Sequence, residues 1–176
     1  MSVVVQNSRG VLRDAYFNSI YREAVRQAGL RRGEKVLDFG CGDQRLKSFL
    51  PDGIRYTGYD SEPDFSDVVG YWGERPDVVF ALSVLEHLRD GDVGDFVSFC
   101  CLARPRRVVV ALPCGNFVNS VMRFVTARNF VTGIYHVNDW RGVCRRLASR
   151  LELLGYKRVW LMSWVSSWMV KSERRN

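Results

Sequence analysis

The stretch Val36-Leu37-Asp38-Phe39-Gly40-Cys41-Gly42-Asp43 decides the fold. It is a short apolar β run that breaks into a G-x-G turn. One carboxylate ends the strand and another follows the second glycine. Lacking a Cβ, Gly40 and Gly42 let backbone pass close to a ligand. A dinucleotide site keeps the start of its next helix bare for pyrophosphate. Asp38 and Asp43 would repel that anion, and suit a ligand with an ammonium or sulfonium at this point.

Outward from this turn, helix-period and strand-like runs alternate. Tyr16, Ile20, Ala24 and Ala28 recur every four residues and predict a helix from Arg13 to Ala28, stopped by Gly29. "IRYTGYD" reads as a second strand, Asp67 to Trp72 as a weaker third, and "DVVFALSV" as a strand buried on both faces. Leu46, Phe49 and Leu50 predict a short helix closed by Pro51. Asp90, Asp92 and Asp95 crowd a helix start, where negative charge meets the positive end of the dipole. "RVVVALP" is a further central strand. Asn138 is expected to cap a last helix that carries Trp140, Val143, Leu147, Leu151 and Leu154 on one face and ends at Gly155. "YKRVWLMSW" and "SSWMVKSE" close the chain as an antiparallel pair. Strands alternating with helices imply β-α-β units and a parallel sheet covered on both faces.

Asp60 ends the second strand, where a carboxylate can take both ribose hydroxyls of a nucleoside. A ribose joined to a cationic amino-acid end describes S-adenosylmethionine. Here the chain resembles the class I, Rossmann-like S-adenosylmethionine-dependent methyltransferases. "VLDFGCG" is similar to their first motif and "YTGYDSE" to their second. "PDVVFALSVLEHL" resembles the fourth strand and turn of the small-molecule branch that includes the ubiquinone-biosynthesis O-methyltransferases, and "VVVALP" and "HVNDW…LLGYKRV" resemble later elements. The resemblance covers nearly the whole chain. It implies a single α/β domain over residues 1–176, a three-layer α/β/α sandwich whose mostly parallel seven-stranded sheet ends in the antiparallel pair. It implies S-adenosylmethionine as cofactor, lined by Asp38, Gly40, Cys41, Gly42, Asp60, Ser61, Tyr71, Trp72, Leu82 and Ser83.

The chain departs from the family pattern in places. Gln44 stands where many relatives carry a third glycine. "GYWGE" puts Tyr71 or Trp72 where relatives have an adenine-binding aspartate, so an aromatic wall is expected and the adenine acceptor stays unassigned. Glu86 and His87 follow the fourth family strand, where substrate and cofactor meet, and are the expected catalytic pair. Histidine suits general-base work because imidazole titrates near neutrality. Glu86, His87 and His136 offer three donors to a divalent ion. Metal-dependent relatives carry a further glutamate where Ser83 stands, so no metal is expected.

Residues 114–135 fall where relatives place a substrate-covering insertion. Phe117, Val121, Phe124 and Val125 lie at helical spacing, which reads equally as a helix on the core or a lid with an apolar inner face. Phe117 and His136 are the expected acceptor contacts. The 176 residues carry a net charge of +7, and all but four of the 26 cations are arginine. That favours anionic partners without choosing among them. Arg104, Arg106 and Arg107, and Arg141, Arg145 and Arg146, form clusters that read as solvated faces ahead of a nucleic-acid surface. Five cysteines without a C-x-x-C pair argue against a disulfide framework and fit a reducing cytoplasm. No apolar run reaches the roughly 18 residues of a spanning helix, and the N-terminus does not read as a leader. The expected activity is methylation, at oxygen, of a small or carrier-linked acceptor. The alternatives are an RNA 2′-O-methyltransferase and a non-catalytic methyltransferase-like partner subunit.

Overall fold

A computed structural model describes residues 2–114 and 139–172. In chain order the elements are helix α1 (Ser2–Ala28), strand β1 (Lys35–Phe39), a 3₁₀ turn (Arg45–Phe49), β2 (Arg55–Tyr59), a 3₁₀ turn (Pro63–Phe65), β3 (Val78–Leu82), α2 (Asp90–Ala103), β4 (Arg107–Pro113), α3 (Trp140–Arg150), β5 (Leu151–Val159) and β6 (Ser163–Val170). The strands lie in the order β2-β1-β3-β4-β6-β5. β1 to β4 run parallel, while β6 is antiparallel to both β4 and β5.

The two-residue period of the strands builds three layers. From β4, Val108, Val110 and Leu112 pack into the cluster that holds Phe96 and Phe99 of α2 and Val143 and Leu147 of α3. The intervening Val109 and Ala111 face the other way, against Ile20, Ala24 and Ala28 of α1. Those three α1 residues are the buried series that the four-residue spacing predicts, and Gly29, at φ 54°, ends the helix. The three-layer α/β/α arrangement is therefore as expected.

Four expectations are corrected. Among the described residues the sheet has six strands, not seven. The missing one is the weak strand read at Asp67 to Trp72, which forms no ladder. Asp67 N–H bonds the Gly58 carbonyl at 2.8 Å, but the Asp67 carboxylate takes the Gly58 N–H at 2.7 Å. The side chain thus occupies the edge group of β2 that a neighbouring strand would need. The last helix ends at Arg150, not at Gly155. Leu151 is buried and already pairs with Val170, whereas Leu153 and Leu154 are exposed, and Gly155 follows a bulge in β5. The cap of that helix is Asp139, whose carboxylate accepts from Gly142 N–H at 2.7 Å; Asn138 lies outside the described residues. Finally, the hairpin turn falls inside "YKRVWLMSW". Trp160 and Leu161 both have positive φ (51° and 57°), and Met162 N–H closes the turn on the Val159 carbonyl at 3.0 Å.

Candidate functional site

The chain runs from β1 out to β2 and then crosses to β3 on the other side of β1. The reversal makes the carboxyl ends of β1 and β3 the topological switch point, where ligands bind in open α/β sheets. Two segments meet there: the glycine turn after β1 and the turn Ser83 to His87 after β3.

Gly40 and Gly42 have different tasks. Gly40 adopts φ 73°, and a Cβ on it would lie 2.7 Å from the Val84 Cβ, with Val84 Cγ2 closer still. Its smallness lets the two turns pack together. Gly42, at φ 49°, has nothing within 4 Å of a built Cβ, so it faces open space. The backbone of the turn is fixed by β2: Gly40 and Cys41 N–H both donate to the Tyr59 carbonyl, at 2.7 and 3.0 Å. Cys41 is buried, and its thiol lies 3.2 Å from the Phe65 carbonyl. Gln44, in place of a third glycine, takes a left-handed φ of 56° and binds the Phe65 carbonyl and Asp67 through its amide. A 3₁₀ turn follows rather than an α-helix.

Three carboxylates surround this turn. Asp38 is 3% exposed and accepts from the Tyr56 hydroxyl at 2.9 Å. Burial pushes its pKa up to about 7 against the Tyr56 bond, and the charges of Asp60 and Asp43 add to the rise. Asp60 accepts from Gly42 N–H through Oδ2 (2.9 Å) and from Glu62 N–H through Oδ1 (3.0 Å). Exposed Ser61 lies beside it, its hydroxyl 3.4 Å from Oδ1. A carboxylate has about four acceptor sites; with Gly42, Glu62 and Ser61 as donors, Asp60 retains capacity for a ribose hydroxyl. Clustered acids, beside a glycine that opens onto space, fit a ligand with a cationic end and a ribose. Asp60→Ala is expected to weaken S-adenosylmethionine binding more than tenfold, about 1.5–3 kcal/mol for lost charge-assisted hydrogen bonds. Unchanged affinity in a folded variant, measured by calorimetry, would remove Asp60 from the site.

The aromatic wall is only half a surface. Tyr71 is buried, edge-on to Phe39 (4.9 Å) and Phe99 (5.0 Å) and against Tyr59 (4.7 Å). Trp72 stacks on it at 5.4 Å and is exposed. Tyr71 therefore positions Trp72 and anchors the crevice floor. Leu82, half-buried, ends β3, and Ser83 follows at φ 58°, a left-handed conformation rare for serine. Its N–H is held by the Ala111 carbonyl at 3.0 Å, which maintains the sharp exit from β3.

Glu86 and His87 occupy the turn closed by His87 N–H on the Val84 carbonyl at 3.0 Å. His87 Nε2 lies 3.9 Å from Glu86 Oε1. The Glu86 side chain is only 3% exposed against 29% for His87. Glu86 Oε2 has no hydrogen-bond partner among the described residues. Burial raises the Glu86 pKa to about 7. A buried carboxylate with an orphan oxygen is costly unless something brings it a donor. His136, Phe117 and the expected insertion from 115 onward lie outside the described residues.

Sequence reading missed Tyr56, Val84, Tyr16 and Ser163. Tyr56 holds Asp38, and its signal was a tyrosine inside a strand, where a buried hydroxyl needs a partner. Tyr16 appeared only as one step of an apolar series, yet its hydroxyl bonds Ser163 Oγ at 2.5 Å. Two of the clustered arginines have structural partners: Arg106 binds Glu34 and the Ala28 and Gly29 carbonyls, and Arg146 pairs with Asp90.

No protein-family model and no curated protein matches the chain. Solved structures do. The N-methyltransferase NodS from Bradyrhizobium japonicum aligns at TM-score 0.66 and 13% identity over 90% of this chain and 98% of its own. The magnesium protoporphyrin IX methyltransferase ChlM from Synechocystis, crystallised with bound SAH, aligns at 0.57 and 14% over 97% and 89%. The small RNA methyltransferase HEN1 aligns at 0.63 and 15% over 89% of this chain, which spans a quarter of the HEN1 chain. The chain has the fold of S-adenosylmethionine-dependent methyltransferases.

Proposed function

We propose that the protein transfers a methyl group from S-adenosylmethionine to a small or carrier-linked acceptor, at oxygen, as the resemblance to the ubiquinone-biosynthesis branch implies. The observation that carries this is the juxtaposition of the two turns: Gly40 packs on Val84, so the acidic glycine turn and the Glu86–His87 turn share one crevice. Asp60 would hold the ribose, and Asp38 the cationic amino-acid end. When bound, S-adenosylmethionine supplies a methyl group on a sulfonium. The chain's own work is alignment, exclusion of water and proton removal. His87, partly exposed and beside Glu86, takes the acceptor's proton. Glu86, buried behind it, orients the imidazole and stabilises its cation. The test is incubation with methyl-labelled S-adenosylmethionine and a panel of phenols, catechols, lipid-linked alcohols and RNA. Label in a phenol or alcohol supports the proposal, and label only in RNA overturns it.

The state of Asp38 adds a pH dependence. A cationic ligand prefers the ionised carboxylate, and Asp38 in the free protein loses its proton only near pH 7. Below that pH, binding has to release a proton. Affinity for S-adenosylmethionine is therefore expected to rise with pH up to about 7 and level off above it, with proton release visible in buffers of different ionisation enthalpy at pH 6. Asp38→Asn should flatten the profile. A flat wild-type profile between pH 6 and 8 would separate Asp38 from the cationic end.

A further inference from the structure

The carboxylate that ends β1 is held by one side chain of the neighbouring strand. Asp38 lies opposite Gly58 in the β1–β2 ladder. Tyr56, two residues before Gly58, stands on the same face of the sheet. From there its hydroxyl donates to Asp38 Oδ2 at 2.9 Å. Gly58 leaves room for this bond, since a Cβ on it would lie 3.2 Å from the Tyr56 hydroxyl oxygen and 2.9 Å from Cys41 Sγ. Lys47, from the 3₁₀ turn that follows the glycine turn, places its Nζ over the phenol ring at 5.5 Å. Among the described residues no other group donates to the Asp38 side chain, so Oδ1 keeps its acceptor capacity.

The surroundings of Asp38 oppose its charge, and the phenol supports it. A carboxyl that is 3% exposed resists ionisation. The charges of Asp60 and Asp43 resist it too, and the Tyr56 hydrogen bond acts against all three. The phenol keeps its own proton, because burial and then the charge of Asp38 raise its pKa, with Cys41 and Asp67 adding to the rise. Burial and the charge of Asp38 also push the Cys41 thiol and, on α1, the Tyr21 hydroxyl up to about 12. Tyr56, Cys41 and Tyr21 therefore hold one charge state between pH 6 and 8.5, while Asp38 changes its own. We infer that Tyr56 is a positioning residue of the cofactor site: its O–H fixes Asp38 Oδ2, favours the ionised carboxyl and leaves Oδ1 to the cationic amino-acid end of S-adenosylmethionine. This rests on the methyltransferase reading and extends it to a residue of β2 that acts through Asp38. Without the hydroxyl the carboxyl ionises only at higher pH, so affinity is lost on the acid side. On the alkaline side free and bound protein both hold an ionised Asp38, and the bond cancels between them.

The test is calorimetry of S-adenosylmethionine on the full chain at pH 6, 7.5 and 8.5, with wild type and Tyr56→Phe. Urea unfolding at pH 8.5 checks that the variant is folded. Tyr56→Phe is expected to bind roughly tenfold weaker than wild type at pH 6, as fits loss of a hydrogen bond to a charged group, and within about twofold of it at pH 8.5. At pH 7.5 the variant should release more protons on binding than wild type does. Glu86, raised to about 7 on the other turn, is common to both proteins, as is the ligand's own ammonium, so neither alters the ratio. Tyr56→Leu, also without a donor, should show the same pH pattern. A loss by the same factor at every pH would mean that Tyr56 only packs, and would overturn the assignment. So would a variant whose profile matches wild type. No binding to the wild-type chain at any of the three pH values would overturn the methyltransferase reading, and this assignment with it.

Discussion

His87→Gln is expected to lower turnover at saturating substrate by roughly 10²–10⁴-fold, the usual span for loss of a general base, while S-adenosylmethionine affinity stays within error. The imidazole is 29% exposed at the crevice, and the carboxylates proposed to hold the cofactor belong to other turns. Losing it should therefore not disturb the cofactor. The pH–rate profile tests whether the two members act as a pair. With Glu86 raised to about 7 by burial, activity that needs its ionised form behind the imidazole falls as pH drops through 7. Because Glu86 is proposed to act through His87, the His87→Gln profile should lose this acidic limb, and the His87→Gln/Glu86→Gln double variant should behave like His87→Gln alone. A His87→Gln enzyme with full activity would discard the proton-removal role. One that loses cofactor affinity but not saturated turnover would move His87 to the cofactor.

Gly40→Val is expected to abolish cofactor binding and to destabilise the fold. A Cβ at this residue meets Val84 at 2.7 Å or less, in a left-handed backbone conformation that a β-branched residue resists. Left-handed strain costs about 1–2 kcal/mol and overpacking about 1–3 kcal/mol, which together give about 2–5 kcal/mol in urea unfolding. The damage reaches both turns at once, because Val84 belongs to the segment that carries Glu86 and His87. Gly42→Ala separates ligand approach from packing. Nothing lies within 4 Å of its Cβ, so that variant should lose only the left-handed strain, about 1–2 kcal/mol of stability, while its affinity for S-adenosylmethionine falls steeply. A Gly42→Ala protein that binds like wild type would mean that the ligand does not approach the glycine turn.

These two residues also show what was legible in the sequence. The G-x-G spacing and flanking acids located the turn, because backbone freedom and charge are properties of residue type. What presses on each glycine is not, so the packing of Gly40 on Val84 could not be read from residue type. Strands β1, β3 and β4 were readable because burial on both faces leaves continuous apolar runs. The strand at Asp67 failed because one side-chain carboxylate competes for the backbone of β2, and no hydropathy pattern encodes that. The last helix was read too long because Leu151 continues the helical spacing while its Val170 partner lies far along the chain. Tyr16 and Ser163 are 147 residues apart. Their meeting depends on the whole sheet order, so only the fold could bring it into view.

The central claim is that the acidic glycine turn binds S-adenosylmethionine. Calorimetric titration of the full chain with S-adenosylmethionine tests it most directly. Saturable one-to-one binding, weakened more than tenfold by Asp60→Ala, is the expected result. An absence of binding to the folded wild-type chain, or binding that Asp60→Ala leaves intact, would contradict it.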